Sequence, residues 1–148
     1  MNTVAHRTFF KHDMPCLADE RHEKRQSRKA FETEQKAKAT ARDRACTKTG
    51  CRWPDCPYCV RRDRQEVSHV WDKGSGGDHG NRSTADQMIR VCARIHQGPG
   101  SIHAKDRVVI PLTDRGTDGP CEFQVFDRAE NRWFTVGVES APGVLVRN

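Results

Sequence analysis

Alternation of apolar and polar positions is concentrated in the second half of the chain. Residues 65–71 (QEVSHVW) place Val67, His69 and Trp71 on one side and Glu66, Ser68 and Val70 on the other, the period-two pattern of a strand. Met88 to Cys92 (MIRVC) reads either as a strand or as helical continuation. Ala93 to Gln97 reads as a short helix, stopped by Gly98-Pro99-Gly100. Further strands are predicted over Arg107 to Leu112, Glu122 to Phe126, Trp133 to Val138 and Val144 to Val146. Turn residues separate them at Asp114 to Pro120, Glu130-Asn131 and Pro142-Gly143. In this last region Phe123, Val125, Phe126, Trp133, Phe134, Val136 and Val138 are expected to pack as a β-rich layer. Residues 73–83 (KGSGGDHGNRS) carry four glycines and predict a loop. Ser83 and Asp86 have the spacing of a capping box, so a short helix is expected to start there.

The first half has no such pattern. Residues 1–17 read as a loose arm. Residues 18–44 are rich in helix formers but hold nine Lys/Arg, six Asp/Glu and a single large apolar side chain, Phe31. Without an apolar stripe a helix there buries little, which predicts a solvated, partly frayed helix; the alternative is a basic arm lying along a phosphate backbone. The chain thus divides into a largely helical arm (1–45), a central core (46–112) and a β-rich extension (113–148), an α+β fold.

Composition adds a constraint. The 148 residues are 34% hydrophobic and 31% charged, which is little apolar material for so long a chain. Small cores of this kind are often stapled by a metal or by disulfides. The formal charge of +6 favours a polyanionic partner, for which nucleic acid is the default. No run approaches the roughly 18 apolar residues that span a bilayer, and residues 1–11 lack the apolar stretch of a signal peptide. The expectation is a cytoplasmic protein without membrane contact. Thiols stay reduced there, so the seven cysteines point to metal rather than to disulfides.

Four of those cysteines fall close together. Cys46, Cys51, Cys56 and Cys59 are spaced C-x4-C-x4-C-x2-C, and the Cys56-Pro57-Tyr58-Cys59 turn presents two thiolates at once. Zinc takes four such ligands in a tetrahedron. Structural zinc is therefore expected, with Cys92 able to replace Cys46 or Cys51. Cys16 and Cys121 read as buried small hydrophobes.

The run EVSHV, then KGSGGDHGNRS, then ADQMIRVCARIH, then SIHAKDRVVIPL, resembles the HNH endonucleases, in the form common in phages and prophages. The resemblance covers about 65 residues. It implies a zinc-stapled, treble-clef-like ββα-metal core that grips one divalent cation (magnesium, manganese or nickel) and hydrolyses DNA phosphodiester bonds. His69 matches the family's first His, the general base that activates water. His96 matches the last His, a metal ligand, and Gln87 stands at the position of the bracing Asn, with Asn81 as a substitute. The chain departs from the family at three places. Ser68 replaces the usual metal ligand before the first His, Gln87 replaces Asn, and Ile95 replaces the second Cys of an LC-x2-CH run. A further cation ligand is then required, with His103 first and Asp78, His79 and Asp86 behind it. Lys73, Arg82, Arg90 and Arg94 are expected to contact phosphates. A neutral imidazole suits a base near pH 7, and a cation stabilises the charge that develops on the phosphate. Two other readings stand beside the nuclease: a zinc-stapled DNA-binding module on the same fold with a disabled cation site, and a protein-docking module. The oligomeric state is open; a symmetric double-strand cut would call for a homodimer.

Overall fold

The structure, a computed structural model, describes residues 17–70 and 84–147. The expected N-terminal arm with Cys16, and the glycine-rich loop with Lys73, Asp78, His79, Asn81, Arg82 and Ser83, lie outside those residues, as does Trp71. The chain divides into two units, Met1–Phe31 and Glu32–Asn148. Helix α1 (Leu17–Cys46) runs through the boundary, with Asp19 and Glu20 in its first turn and Arg44 in its last, as the helix dipole favours.

In the first unit, residues 18–31 of α1 are exposed throughout, as a helix polar on every side must be. In the second unit the same helix behaves differently. Gln35, Ala39 and Asp43 are buried, and Glu32, Lys36, Thr40, Arg42 and Cys46 beside them are half-buried. This is a helical stripe at i, i+4, i+8, but a polar one, which an apolar count does not mark. It docks through hydrogen bonds. Gln35 Oε1 accepts from the Ala85 backbone at 3.0 Å. Arg42 donates to the Ala85 and Met88 carbonyls at 2.9 and 2.6 Å and to Asp118 at 2.8 Å. Asp43 accepts from the Arg90 backbone at 2.7 Å.

That last bond caps the outer edge of a two-stranded antiparallel hairpin, β1 (Gln65–His69) and β2 (Met88–Cys92), in register from Gln65↔Cys92 to His69↔Met88. Four of the five residues of β2 are buried. A strand covered on both faces reads as a continuous apolar run, so its type is ambiguous in sequence. A one-turn helix, α2 (Ala93–His96), follows directly. The rest is a four-stranded antiparallel sheet, β3 (Arg107–Pro111), β4 (Cys121–Asp127), β5 (Arg132–Ala141) and β6 (Val144–Leu145), in that order.

One core joins these parts. Ile89, Val91 and Ile95 meet Trp53, Val109, Cys121 and Phe123, with Cys51, Cys56 and Cys92 among them. Trp53 stands edge-on to Phe123 at 5.4 Å between centroids, a favoured aromatic geometry. Of the expected β-rich layer, Phe123 and Val125 face this core. Trp133 and Val136 are exposed, and Trp133 packs on Phe126 instead.

A buried ion network fixes the segment between Cys51 and Trp53. Arg52 has no side-chain exposure, nor do its partners Glu139 and Asp43. Its guanidinium grips Glu139 at 3.1 and 2.6 Å and donates to the Gly119 carbonyl at 2.8 Å and to the Thr117 carbonyl. Glu139 also accepts from the Cys121 and Gly143 backbones. Burial pulls the Arg52 pKa down, but the Glu139 hydrogen bonds overcome it and the net shift is upward.

Candidate metal centre

The cysteine segment reaches the core by tight turns, with Gly50 and Asp55 at positive φ. Gly50 sits at φ +77°, a left-handed conformation that strains any residue with a Cβ, so the turn favours glycine. Arg90 donates to the Gly50 carbonyl at 3.2 Å and to Gln65. The Arg52 backbone donates to the Arg90 carbonyl at 2.9 Å, adding the segment to the edge of β2.

This brings Cys51, Cys56 and Cys59 to Cys92 at the end of β2, with all four sulfurs within 4.8 Å of one another. Four thiolates about 2.3 Å from a tetrahedral zinc lie about 3.8 Å apart. The Cys59 and Cys92 sulfurs are 3.6 Å apart, a contact that fits shared ligation and is far too long for a disulfide. The set could hold a structural metal such as zinc. Cys46 stands apart, with its sulfur on the Asp43 carbonyl and its backbone against Gly143. The cysteines that cluster are therefore those in which Cys92 stands in place of Cys46. A hydrogen bond from Cys51 pushes the Cys56 thiol down to about 5, while that same bond and burial push Cys51 up. Burial, then Cys59, pushes Cys92 up to about 12. Thiols this close compete for one negative charge, and a cation relieves that competition.

A second constellation lies on the other face of the hairpin. His96, the last residue of α2, has Nδ1 2.7 Å from Glu66 Oε2. The loop after α2 folds back by backbone bonds Ile102 to Ile95 at 2.8 Å and His103 to His96 at 3.1 Å. This sets the His103 ring edge-on to His96 with centroids 4.4 Å apart. Burial pushes the His96 imidazole below its ordinary value, against the opposing pull of Glu66. The hydrogen bond from His96 holds the Glu66 carboxyl below the usual carboxylate range. Among the described residues these groups do not close into a set with every donor within 4.8 Å; the cysteine set alone does.

The other predicted residues are dispersed. His69 pairs with Met88 at the far end of β1, half-buried, with Nε2 shielded from solvent. It is three residues from Glu66, about 10 Å along an extended strand, and strict alternation turns the two side chains to opposite faces. Ser68 is fully buried. Gln87 closes the hairpin by its backbone, accepting from Val70 at 3.0 Å, while its side chain donates to Asp86 at 3.1 Å. Asp86 is thus engaged away from His96. Arg90 holds the cysteine turn, and Arg94 lies over Tyr58 and pairs with Asp63 at 3.3 Å. Glu66 is the residue that sequence reasoning passed over. The available signal was its place two positions before Ser68, on the strand face where a ligand is missing.

Compared with known protein families, with curated proteins and with solved structures, the chain finds no match. Among the described residues no helix is long and apolar enough to cross a membrane.

Proposed function

We propose that the chain is a cation-dependent DNA endonuclease of the HNH type, with zinc on Cys51, Cys56, Cys59 and Cys92 as its structural staple. The observation that carries this reading is the His96–His103 pair, held on a cysteine-anchored hairpin and one-turn helix whose first strand carries His69. The order of knuckle, hairpin and helix is that of a treble clef, and the histidines fall in the order the resemblance requires.

A divalent cation bound at His96 and His103 would supply charge for the scissile phosphate. The base role of His69, taking the proton from a water whose oxygen then bonds to phosphorus as the sugar oxygen leaves, is what the resemblance implies; its place on the face of β1 opposite Glu66 stands against it. The excess of basic residues draws the polyanion to the surface.

Supercoiled-plasmid nicking with magnesium, manganese, nickel or no metal tests this. The wild type should relax the plasmid, and His69→Ala should reduce the rate by about 10²-fold or more while leaving the fold and zinc content intact. Equal rates in the two proteins would remove His69 as the base. The shielding of His69 Nε2 and the open geometry around His96 favour one second reading, a zinc-stapled DNA-binding module without turnover. Salt-sensitive DNA retention with no nicking in any metal would select it.

A further inference from the structure

A helix of one turn does little to orient its last side chain. His96 is nevertheless held, because Glu66 reaches it from the neighbouring strand. Glu66 Oε2 is 2.7 Å from His96 Nδ1 and 3.0 Å from Gln97 Nε2. The other carboxylate oxygen is gripped by the Arg64 guanidinium. At neutral pH a carboxylate only accepts hydrogen bonds, so the proton between the two groups sits on His96 Nδ1. A neutral imidazole protonated there has its lone pair on Nε2, the atom a cation can use. The backbone bonds that fold residues 97–103 onto α2 set a second imidazole, His103, beside it.

We propose that Glu66 is a positioning residue that locks His96 in the Nδ1–H tautomer, making Nε2 the ligand atom for a divalent cation shared with His103. The inference rests on the cation-dependent reading above. Carboxylates that hold a ligating histidine in this way fix its tautomer and ring orientation, and their loss typically weakens metal binding by 10–100-fold.

The test uses the full chain, zinc-loaded and ¹⁵N-labelled, at about pH 8, above the ordinary histidine value. Long-range ¹H–¹⁵N spectra identify the protonated ring nitrogen of His96, and calorimetry measures manganese affinity at the site outside the cysteines. The wild type should show Nδ1–H. Glu66→Ala should revert His96 to the Nε2–H form and lose about 10–100-fold in manganese affinity. Glu66→Gln keeps an oxygen that accepts from Nδ1–H, so it should keep the tautomer and most of the affinity. Nε2–H in the wild type, or unchanged affinity in Glu66→Ala, overturns the proposal. Glu66→Gln as weak as Glu66→Ala with the tautomer intact also overturns it, because Glu66 would then be a ligand itself. A wild type that binds neither manganese, magnesium nor nickel outside the cysteines removes both this role and the nuclease reading. The expected tautomer and affinity pattern in a protein that nicks no DNA upholds Glu66 and removes only the nuclease.

Discussion

Arg52 is a cation with no solvent contact, tolerable only because its N–H groups meet Glu139, Asp43 and two carbonyls. Removing one partner leaves a buried charge uncompensated, a loss of roughly 3–5 kcal/mol. Glu139→Ala should therefore lower unfolding stability by that amount in urea titration, and a loss below about 1 kcal/mol would show that water replaces the carboxylate. His96 makes a separate prediction about pH. Its folded pKa lies below the ordinary value, so the unfolded chain binds more protons as pH falls past about 6.5. Stability should be complete above that point and decline below it, until pH passes the folded value. His96→Gln should flatten this part of the profile relative to wild type when melting temperature is followed from neutral to mildly acid pH. Parallel profiles would mean that the Glu66 interaction cancels the burial of the ring. Neither pairing was legible in sequence. Arg52 and Glu139 are far apart along the chain, and Glu66 meets His96 only once the hairpin register is set.

Helix α1 shows what periodicity alone can miss. Its existence was readable from composition, and residues 18–31 are as solvated as their polarity predicts. The docked part was not readable, because Gln35, Arg42 and Asp43 bury polar groups that satisfy backbone atoms of β2 and of the turn before it. Ala39 is the small residue that lets this stripe approach, with no exposed surface. Ala39→Glu should thus cost about 2 kcal/mol or more, while Phe31→Ala should stay within about 0.5 kcal/mol, although Phe31 is the single large apolar residue in positions 18–44. Chemical denaturation of both variants checks the contrast, and equal effects would mean that the helix is not docked in solution. The strands fared better in sequence where one face is wet. The predicted bounds of β3, β4 and β6 lie within a residue of those found, because alternation survives wherever one side faces solvent. β5 runs further, to Ala141, through a register shift against β4 that no sequence pattern announces.

For the whole molecule, the cysteine cluster occupies the place where a larger protein would put more apolar bulk. Cys51, Cys56 and Cys92 lie inside the same core as Trp53, Ile89, Ile95 and Phe123, so a metal there would join the cysteine turns, the hairpin and the β3–β6 sheet at once. The Cys56-x2-Cys59 pair was legible because one tight turn presents both thiols. Cys92 entered only as an alternative, because its approach depends on β2 being a strand that ends at the knuckle. On the zinc proposal, metal binding and folding of residues 32–148 are linked. A strong chelator should then lower the melting temperature sharply and expose the core tryptophan Trp53 to solvent, with recovery when zinc is returned. Cys92→Ser should lose zinc and stability together, while Cys46→Ser, outside the clustered set, should keep one zinc per chain by elemental analysis. Zinc retained in Cys92→Ser but lost in Cys46→Ser would return the ligand set to the contiguous cysteines. An unchanged melting curve after complete demetallation would instead mean that apolar packing and the Arg52 network suffice, leaving the clustered thiols as core residues.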